Sequence, residues 1–313
     1  MANSAAGFAL FWVLALKSLE IGYWLTLLLA IPTAGFLMRL FMIQHDCGHG
    51  SFFRSRTAAN LVGSCIGVLT LTPYAYWRKT HALHHAHSGD LDLRGFGDVD
   101  TFTVREYLAM SRGQRLWYRI YRSPFFLFGP GAYIHFFLKH RYPFDLPRDW
   151  KREWASIWRN NLALVLVVLA MGFWLGWTRF LMVQLPVTLV TCSIGVWLFY
   201  VQHQFDHTYW HRHENWDYFD AAIEGSSHLA LPKPLQWITA NIGLHHVHHL
   251  SARIPNYKLQ RAHDENPEFQ VATRLTLRDT LRCVSLTLWD EDARNLIRFR
   301  DLKTHALAGS GGR

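Results

Sequence analysis

Three short runs of histidine hold most of the reactive chemistry in this 313-residue chain: His45-Asp46-Cys47-Gly48-His49, His81-Ala82-Leu83-His84-His85 and His245-His246-Val247-His248-His249. The second and third read H-x-x-H-H and the first reads H-x-x-x-H. Offsets of three and four residues return to one face of a helix, so each run can aim two or three imidazoles at one point. With 19 histidines in the chain, one H-x-x-H-H arises by chance at roughly 0.07 per chain and two at about 0.002. His45, His49, His81, His84, His85, His245, His248 and His249 all stand at ligand spacing. A single tetrahedral zinc would use at most four of them, so two metal ions fit the count better. Imidazole serves Zn, Cu, Fe and Ni alike and leaves the metal open.

Other chemistries lack their residues. There is no H-E-x-x-H for a zinc protease, no G-x-S-x-G and no phosphate-binding lysine loop. Redox chemistry at a two-metal site is what remains, with no catalytic side chains assigned beyond the metal ligands. His203 is the best further ligand, because it follows an apolar span as His45 does; His207, one helical turn on, competes with it. His87, His211, His213, His228 and His246 read as neighbours of the ligands or as exposed residues. Asp46, Asp206 and Asn241 are candidate acceptors for ligand N–H groups, and each is equally an ordinary capping residue. Cys47, Cys65, Cys192 and Cys283 form no C-x-x-C pair, and Cys47 reads as a small residue in a crowded helix end.

The elements that must position these groups are apolar. Half the residues are hydrophobic, 14 are Trp, and the mean hydropathy is only +0.01, as expected for long apolar spans alternating with charged segments. The +9 formal charge lies beside the spans rather than in a stripe with interleaved aromatics, which favours a membrane surface over nucleic acid. Ala5 to Leu16 has no basic residue before it and reads as a short first span or an interfacial helix, not a cleaved signal. Ile21 to Ile43 is the first convincing span. Ala58 to Tyr76 must be re-entrant if His49 and His81 are to share one site. Trp77 to Asn160 contains no uninterrupted span and suits interfacial helices, with a turn at Phe128-Gly129-Pro130-Gly131. Asn161 to Trp177 and Phe180 to Val201 form a second hairpin, with a kink expected at Pro186. An amphipathic stretch runs from Thr276 to Leu302.

The resulting expectation is an all-α integral membrane protein of one domain. About four transmembrane helices in hairpins join interfacial and re-entrant helices and a cytoplasmic helical cap that carries the metals. Residues 1–44 form the first membrane hairpin, 45–160 hold the first two histidine runs, 161–202 form the second hairpin, 203–302 hold the third run and 303–313 are a disordered tail. Lys and Arg concentrate after His49 and after His203, while Lys17 and Arg179 are nearly alone on the other side, which places the histidines in the cytoplasm.

As a set, HDCGHGS at His45 to Ser51, THALHH at Thr80 to His85 and HHVHH at His245 to His249 resemble the three histidine boxes of the membrane fatty acid desaturases. The surroundings WRKTHALHHAHSGDLDLRG and NIGLHHVHHLSARIPNY are most similar to bacterial acyl desaturases of the Δ12/omega-6 type. The similarity covers most of the chain. It implies a non-haem di-iron centre ligated by the eight box histidines and by a histidine outside the boxes, matched here to His203. That centre would use O2 and two electrons to introduce a cis double bond into an acyl chain. The chain departs from some relatives in having Gly50 where they carry a further histidine and in a short region before Ile21.

The resemblance implies an acyl-lipid, acyl carrier protein or acyl-CoA substrate, and a bacterial inner membrane. No His-Pro-Gly-Gly haem motif occurs, so a separate donor such as ferredoxin or a similar small redox protein is expected. It would dock around Arg112 to Arg122 or Arg253 to Arg261, where anionic lipid is the competing partner. Lipid hydroxylation or ketolation is the near alternative on the same ligands, and a non-redox metal-binding membrane protein the remote one.

Overall fold

The computed structural model describes residues 1–95 and 97–302; the expected disordered tail, 303–313, lies outside them. The chain is mostly helical. Helices α1 (Ala2–Ser18) and α2 (Tyr23–His49) fold back on each other, with the Ser18 and Thr26 hydroxyls 2.8 Å apart at the turn. At 17 residues, α1 rises only about 26 Å, just short of the hydrocarbon thickness. The indole of Trp12 donates to Gln184 at 3.0 Å and ties α1 to the second hairpin. Helix α2 runs on past the expected end at Gln44, so the first histidine run is its last turn, closed by Gly50 at φ +71°. Positive φ is the left-handed cap that glycine adopts without strain.

Helices α3 (Arg56–Leu69) and α4 (Tyr74–His87) are bent by 100° at their junction. A bend of this size fits the re-entrant path that the shared-site argument requires of Ala58 to Tyr76, and equally a single broken span. A chain of short elements follows: strand β1 (Phe102–Thr103), then helices α5 (Val104–Ala109), α6 (Arg112–Tyr121), α7 (Pro124–Phe128) and α8 (Pro130–Ile134), the last running into a π-helical turn. Capping boxes at Thr103 with Glu106 and at Ser111 with Gln114 start α5 and α6.

The second hairpin is α9 (Lys151–Leu175) and α10 (Trp177–His203), joined through Gly176 alone at φ +84°. Helix α9 starts ten residues before the expected Asn161, because its first turns carry polar residues that pack on α4, where Ser156 accepts from the backbone of Ala75 at 3.0 Å. Leu162, Val165, Leu166, Leu169, Phe173 and Trp174 leave one face of α9 apolar and exposed, as a lipid-facing span requires. Among the described residues three helices, α2, α9 and α10, are long and apolar enough to cross a membrane, and a fourth crossing exists if the bent α3–α4 pair counts as one. Glu20 at the α1–α2 turn pairs with Arg179 at the start of α10, 3.1 Å apart, so both turns lie at the end of the bundle opposite the histidines. Arg39, in α2, is held by Trp237. Its guanidinium stacks on Trp237, 4.0 Å from the ring, and donates to that residue's carbonyl.

The remaining chain comprises α11 (Tyr218–Glu224), β2 (His228–Leu229), α12 (Lys233–Ile238), α13 (His245–Leu250), α14 (Leu259–Glu265), β3 (Arg274–Leu275), α15 (Leu277–Cys283), β4 (Leu288–Asp290) and β5 (Asn295–Ile297). The amphipathic stretch from Thr276 is therefore helical only to Cys283 and then turns into a β-hairpin. That hairpin extends a sheet of order β1-β4-β5, with β1 parallel and β5 antiparallel to β4, while β2 pairs with β3 in parallel. All four cysteines are free.

The α3–α4 bend has a defined weak point. A Cβ on Gly67 would sit 2.4 Å from the carbonyl oxygen of Thr72, and that backbone is held by the Thr72 N–H donating to the Gly67 carbonyl at 2.7 Å. Gly67→Ala should destabilise the protein by roughly 1–3 kcal/mol. An unchanged thermal midpoint in detergent would show that the bend yields.

Candidate metal centre

Four helices deliver nine histidines to one place. His45, His49, His81, His85 and His248 form one group and His84, His203, His245 and His249 another, the candidate ligand nitrogens of each group lying within 4.8 Å of one another. Helix α4 gives His81 and His85, four residues apart, to the first group and His84 to the second. Helix α13 does the reverse, giving His245 and His249 to the second and His248 to the first. Helix spacing alone produces this split: offsets of four share a face, and the odd residue points to the neighbouring one. Where the two groups meet, the His85 and His249 rings stack at 4.1 Å.

The ring nitrogens point at each other. Nε2 to Nε2 separations are 3.1 Å for His45 and His81, 3.2 Å for His81 and His85, 3.0 Å for His85 and His248, 3.2 Å for His84 and His249, and 3.0 Å for His203 and His245. The far nitrogens of three rings already have acceptors. Nδ1 of His45 faces the Asp46 carboxylate at 3.3 Å, that of His84 bonds Asp98, and that of His203 donates to the Gly225 carbonyl at 3.1 Å. A ring that donates through Nδ1 presents a lone pair at Nε2. His49 Nε2 is buried with no hydrogen-bond partner among the described residues. Converging lone pairs in a buried site repel unless a cation lies between them. Nitrogens about 2.1 Å from a metal and at right angles about it lie about 3.0 Å apart, which matches these separations. The residues fit a pair of metal ions.

The surroundings hold the rings. Asp46 also accepts from the backbone and side chain of Asn256, both at 2.8 Å, and Asn241 donates to the Asn256 carbonyl at 2.9 Å. Asn241 therefore acts on the site two residues removed, through Asn256 and Asp46, and not as a direct acceptor for a ligand. Asp206 faces away: both its oxygens pair with Arg282, at 2.8 and 3.2 Å. Asp98 holds the position next to a ring that was expected of Asp206, and the sequence left it unmarked because it lies in a loop at no helical spacing from His84. His207 is exposed, with φ +57°. His246 is buried against His263 and His228, outside both groups.

Two glutamines were also missed. Gln44 accepts from the Thr70 hydroxyl at 2.8 Å and donates to the Thr72 carbonyl at 3.3 Å, locking the turn that leads into α4. Gln202 donates to the Ile242 carbonyl at 2.8 Å, locking the turn that leads into α13. The only sequence signal was the repeated Gln-His at the end of each span. Gly48 lets Trp77 approach, since a Cβ there would sit 2.8 Å from the indole, and Trp77 stacks on His81 at 4.6 Å.

These contacts fix two expectations. Asp98→Asn removes the carboxylate behind His84 and should lower metal affinity about 10–100-fold, whereas Asp206→Asn should leave it unchanged; titration of the metal-free protein with metal separates the two. The second concerns pH. Burial, reinforced by the neighbouring imidazoles, pushes His245, His248 and His249 well below the usual histidine range. They stay neutral in the folded chain, while the unfolded chain takes up protons as the pH falls through about 6.5. The unfolded state then binds more protons, so stability is lost as the pH falls below that value. The metal-free protein should melt at lower temperature at about pH 5.5 than at about pH 7.5, and a midpoint independent of pH would contradict the neutral cluster.

A family model described as fatty acid desaturase matches residues 22–280, a stretch that contains all nine histidines. The chain is 46% identical over 292 residues to a fatty acid desaturase of Bacillus subtilis, covering 93% of this chain and 82% of the relative. It is 31% identical over 240 residues to the sn-1 acyl-lipid omega-3 desaturase (ferredoxin) of Synechocystis, covering 71% and 62%. It is 27% identical over 250 residues to the sn-1 oleoyl-lipid 12-desaturase of the same organism, covering 74% and 66%. A match of this extent, on a helical membrane scaffold whose histidines converge in this way, means that the chain belongs to the fatty acid desaturase family.

Proposed function

We propose that the two histidine groups hold two iron ions, five nitrogens around one and four around the other, and that the protein uses them to desaturate the acyl chain of a membrane lipid. The observation that carries this reading is the interleaving of α4 and α13. Each feeds both groups, so neither metal position can be formed without the other. The relatives named for acyl-lipid substrates and ferredoxin support an acyl-lipid substrate and a ferredoxin-like donor for this chain too.

A methylene has no usable acidity, so no side chain of the protein can activate it as an acid or base. Bound iron would supply the one-electron and O2 chemistry that the protein cannot. In the overall reaction O2, two electrons, two protons and the two hydrogens lost from adjacent methylenes give two waters and a double bond. The chain's own residues position and exclude. Asp46, Asp98 and the Gly225 carbonyl fix the ring tautomers, and the burial of the rings keeps water from the site. We read the protein as multi-pass, with the histidine end in the cytoplasm of a bacterial inner membrane. Supporting this, the Glu20–Arg179 turns at the opposite end carry few basic residues.

The test is mass spectrometry of total fatty acids from a host that expresses the chain, beside the same host expressing His248→Ala. A species lighter by two hydrogens should appear with the unmodified chain only. A species heavier by one oxygen would instead make the protein a hydroxylase.

A further inference from the structure

Arg112, Arg115 and Arg119 recur along α6 and line one groove together with Arg300, over a floor that includes Tyr107 and Phe299. No carboxylate is among the described residues that line it; Asp301 pairs with Arg298 at 2.8 Å and with Arg300 at 3.7 Å. The floor leads inward without a break. Arg119 donates to the Tyr107 hydroxyl at 2.7 Å, and the Phe299 ring lies 5.4 Å from that of Tyr107 and 5.8 Å from that of Tyr118. The Tyr118 hydroxyl is 3.5 Å from Arg122. Arg122 is not part of the basic surface expected around it, being 1% exposed. Its guanidinium has only neutral hydrogen-bond partners, among them the Tyr200 hydroxyl and the Gln204 amide oxygen, each at 2.9 Å. Gln204 directly follows His203.

We propose that this groove is the docking surface for the reduced electron donor, a small acidic one-electron redox protein, and that Tyr118, Arg122 and Gln204 form the route from it to His203. The proposal rests on the desaturase reading. Four arginines line the groove and Asp301 reaches Arg300 alone, which leaves an excess of positive charge that is complementary to an acidic partner and would raise its encounter rate. An anionic lipid would need only the arginine rim, and the stacked rings behind it would have no role. Each docking oxidises one donor by one electron, and two dockings supply the two electrons that the removal of two substrate hydrogens with reduction of O2 to two waters requires. A buried guanidinium whose hydrogen-bond partners are neutral holds a positive potential along the route, which favours the passage of negative charge.

The experiment uses the full iron-loaded chain in phosphatidylcholine nanodiscs, and in nanodiscs of equal parts phosphatidylcholine and phosphatidylglycerol. Turnover is driven either by a reduced [2Fe–2S] ferredoxin of net negative charge or by dithionite with methyl viologen. For Arg112→Glu/Arg300→Glu, the ratio of ferredoxin-driven to dithionite-driven turnover should fall about tenfold at low ionic strength, in both lipids, and its salt dependence should flatten. The charge-keeping Arg112→Lys/Arg300→Lys variant should retain the ratio. An unchanged ratio in the glutamate variant would overturn the proposal. So would a loss that is equal with both reductants and confined to discs containing phosphatidylglycerol, which would make the groove a lipid site. No product from the unmodified chain with either reductant would overturn the desaturase reading, and this proposal with it.

Discussion

Imidazole nitrogens packed Nε2 against Nε2 at 3.0–3.2 Å repel one another in a buried site, and much of the fold serves to hold them there regardless. Hydrogen bonds behind the rings oppose that repulsion. Asp46 behind His45, Asp98 behind His84 and the Gly225 carbonyl behind His203 each fix a ring from the side away from the cluster. Asp46 is in turn fixed by Asn256, and Asn256 by Asn241. Such a network constrains geometry only when its members are satisfied, because a half-satisfied buried polar group costs more than it contributes. Cations at the two foci would relieve that repulsion, which would couple metal binding to local order.

The same requirement dictates the path of the chain through the membrane. Four helices must end at one depth and on one side. Helices α2 and α10 are long and apolar enough to reach it by spanning, α13 reaches it buried within the lobe after α10, and α4 by a 100° bend from α3. The bend is held from α2 by Gln44, immediately before His45, and the approach to α13 is held from α10 by Gln202, immediately before His203. Each glutamine thus couples a ligand-bearing span to the turn that sets the register of another ligand-bearing helix. In apolar surroundings such a side chain–backbone bond is also how the exposed carbonyl of a broken helix is satisfied.

What could be read in the sequence follows from the range of each interaction. The histidine runs were legible because helical periodicity is local: an offset of three or four residues is visible whatever the fold. The bent α3–α4 segment was legible through parity alone, since His49 and His81 had to meet. His203 was reached through the same parity argument, and the structure brings it to His84 and His245. Asp98 was not legible, because its contact with His84 depends on how a loop folds back over α4, and Asp206, beside His203 in sequence, was preferred on proximity. Asp206 instead meets Arg282, a partner 76 residues away. The strands β4 and β5 were hidden for a related reason: Leu, Trp and Ile alternating with charges suit either period when the segment is short, and the long-range pairing of β4 with β1, Leu288 beside Phe102, decides between them.

Arg122 separates two roles that a charge count cannot. By sequence it is one more arginine of a basic helix, yet it is buried beneath that helix while Arg112, Arg115 and Arg119 line the groove above. Burial of an unpaired charge is costly, and here its hydrogen bonds run to Asp100, Thr101, Tyr118, Tyr200, Gln204 and Leu286, which belong to the loop after α4, to α6, to α10 and to the segment before β4. One guanidinium thus ties the water-facing lobe to the end of the span that carries His203. The apolar faces of α9 and α10 look the other way, toward lipid. A centre that would receive electrons from water and an acyl chain from the bilayer would have to sit where those two environments meet, and the ends of the apolar helices, where the histidines gather, offer such a place.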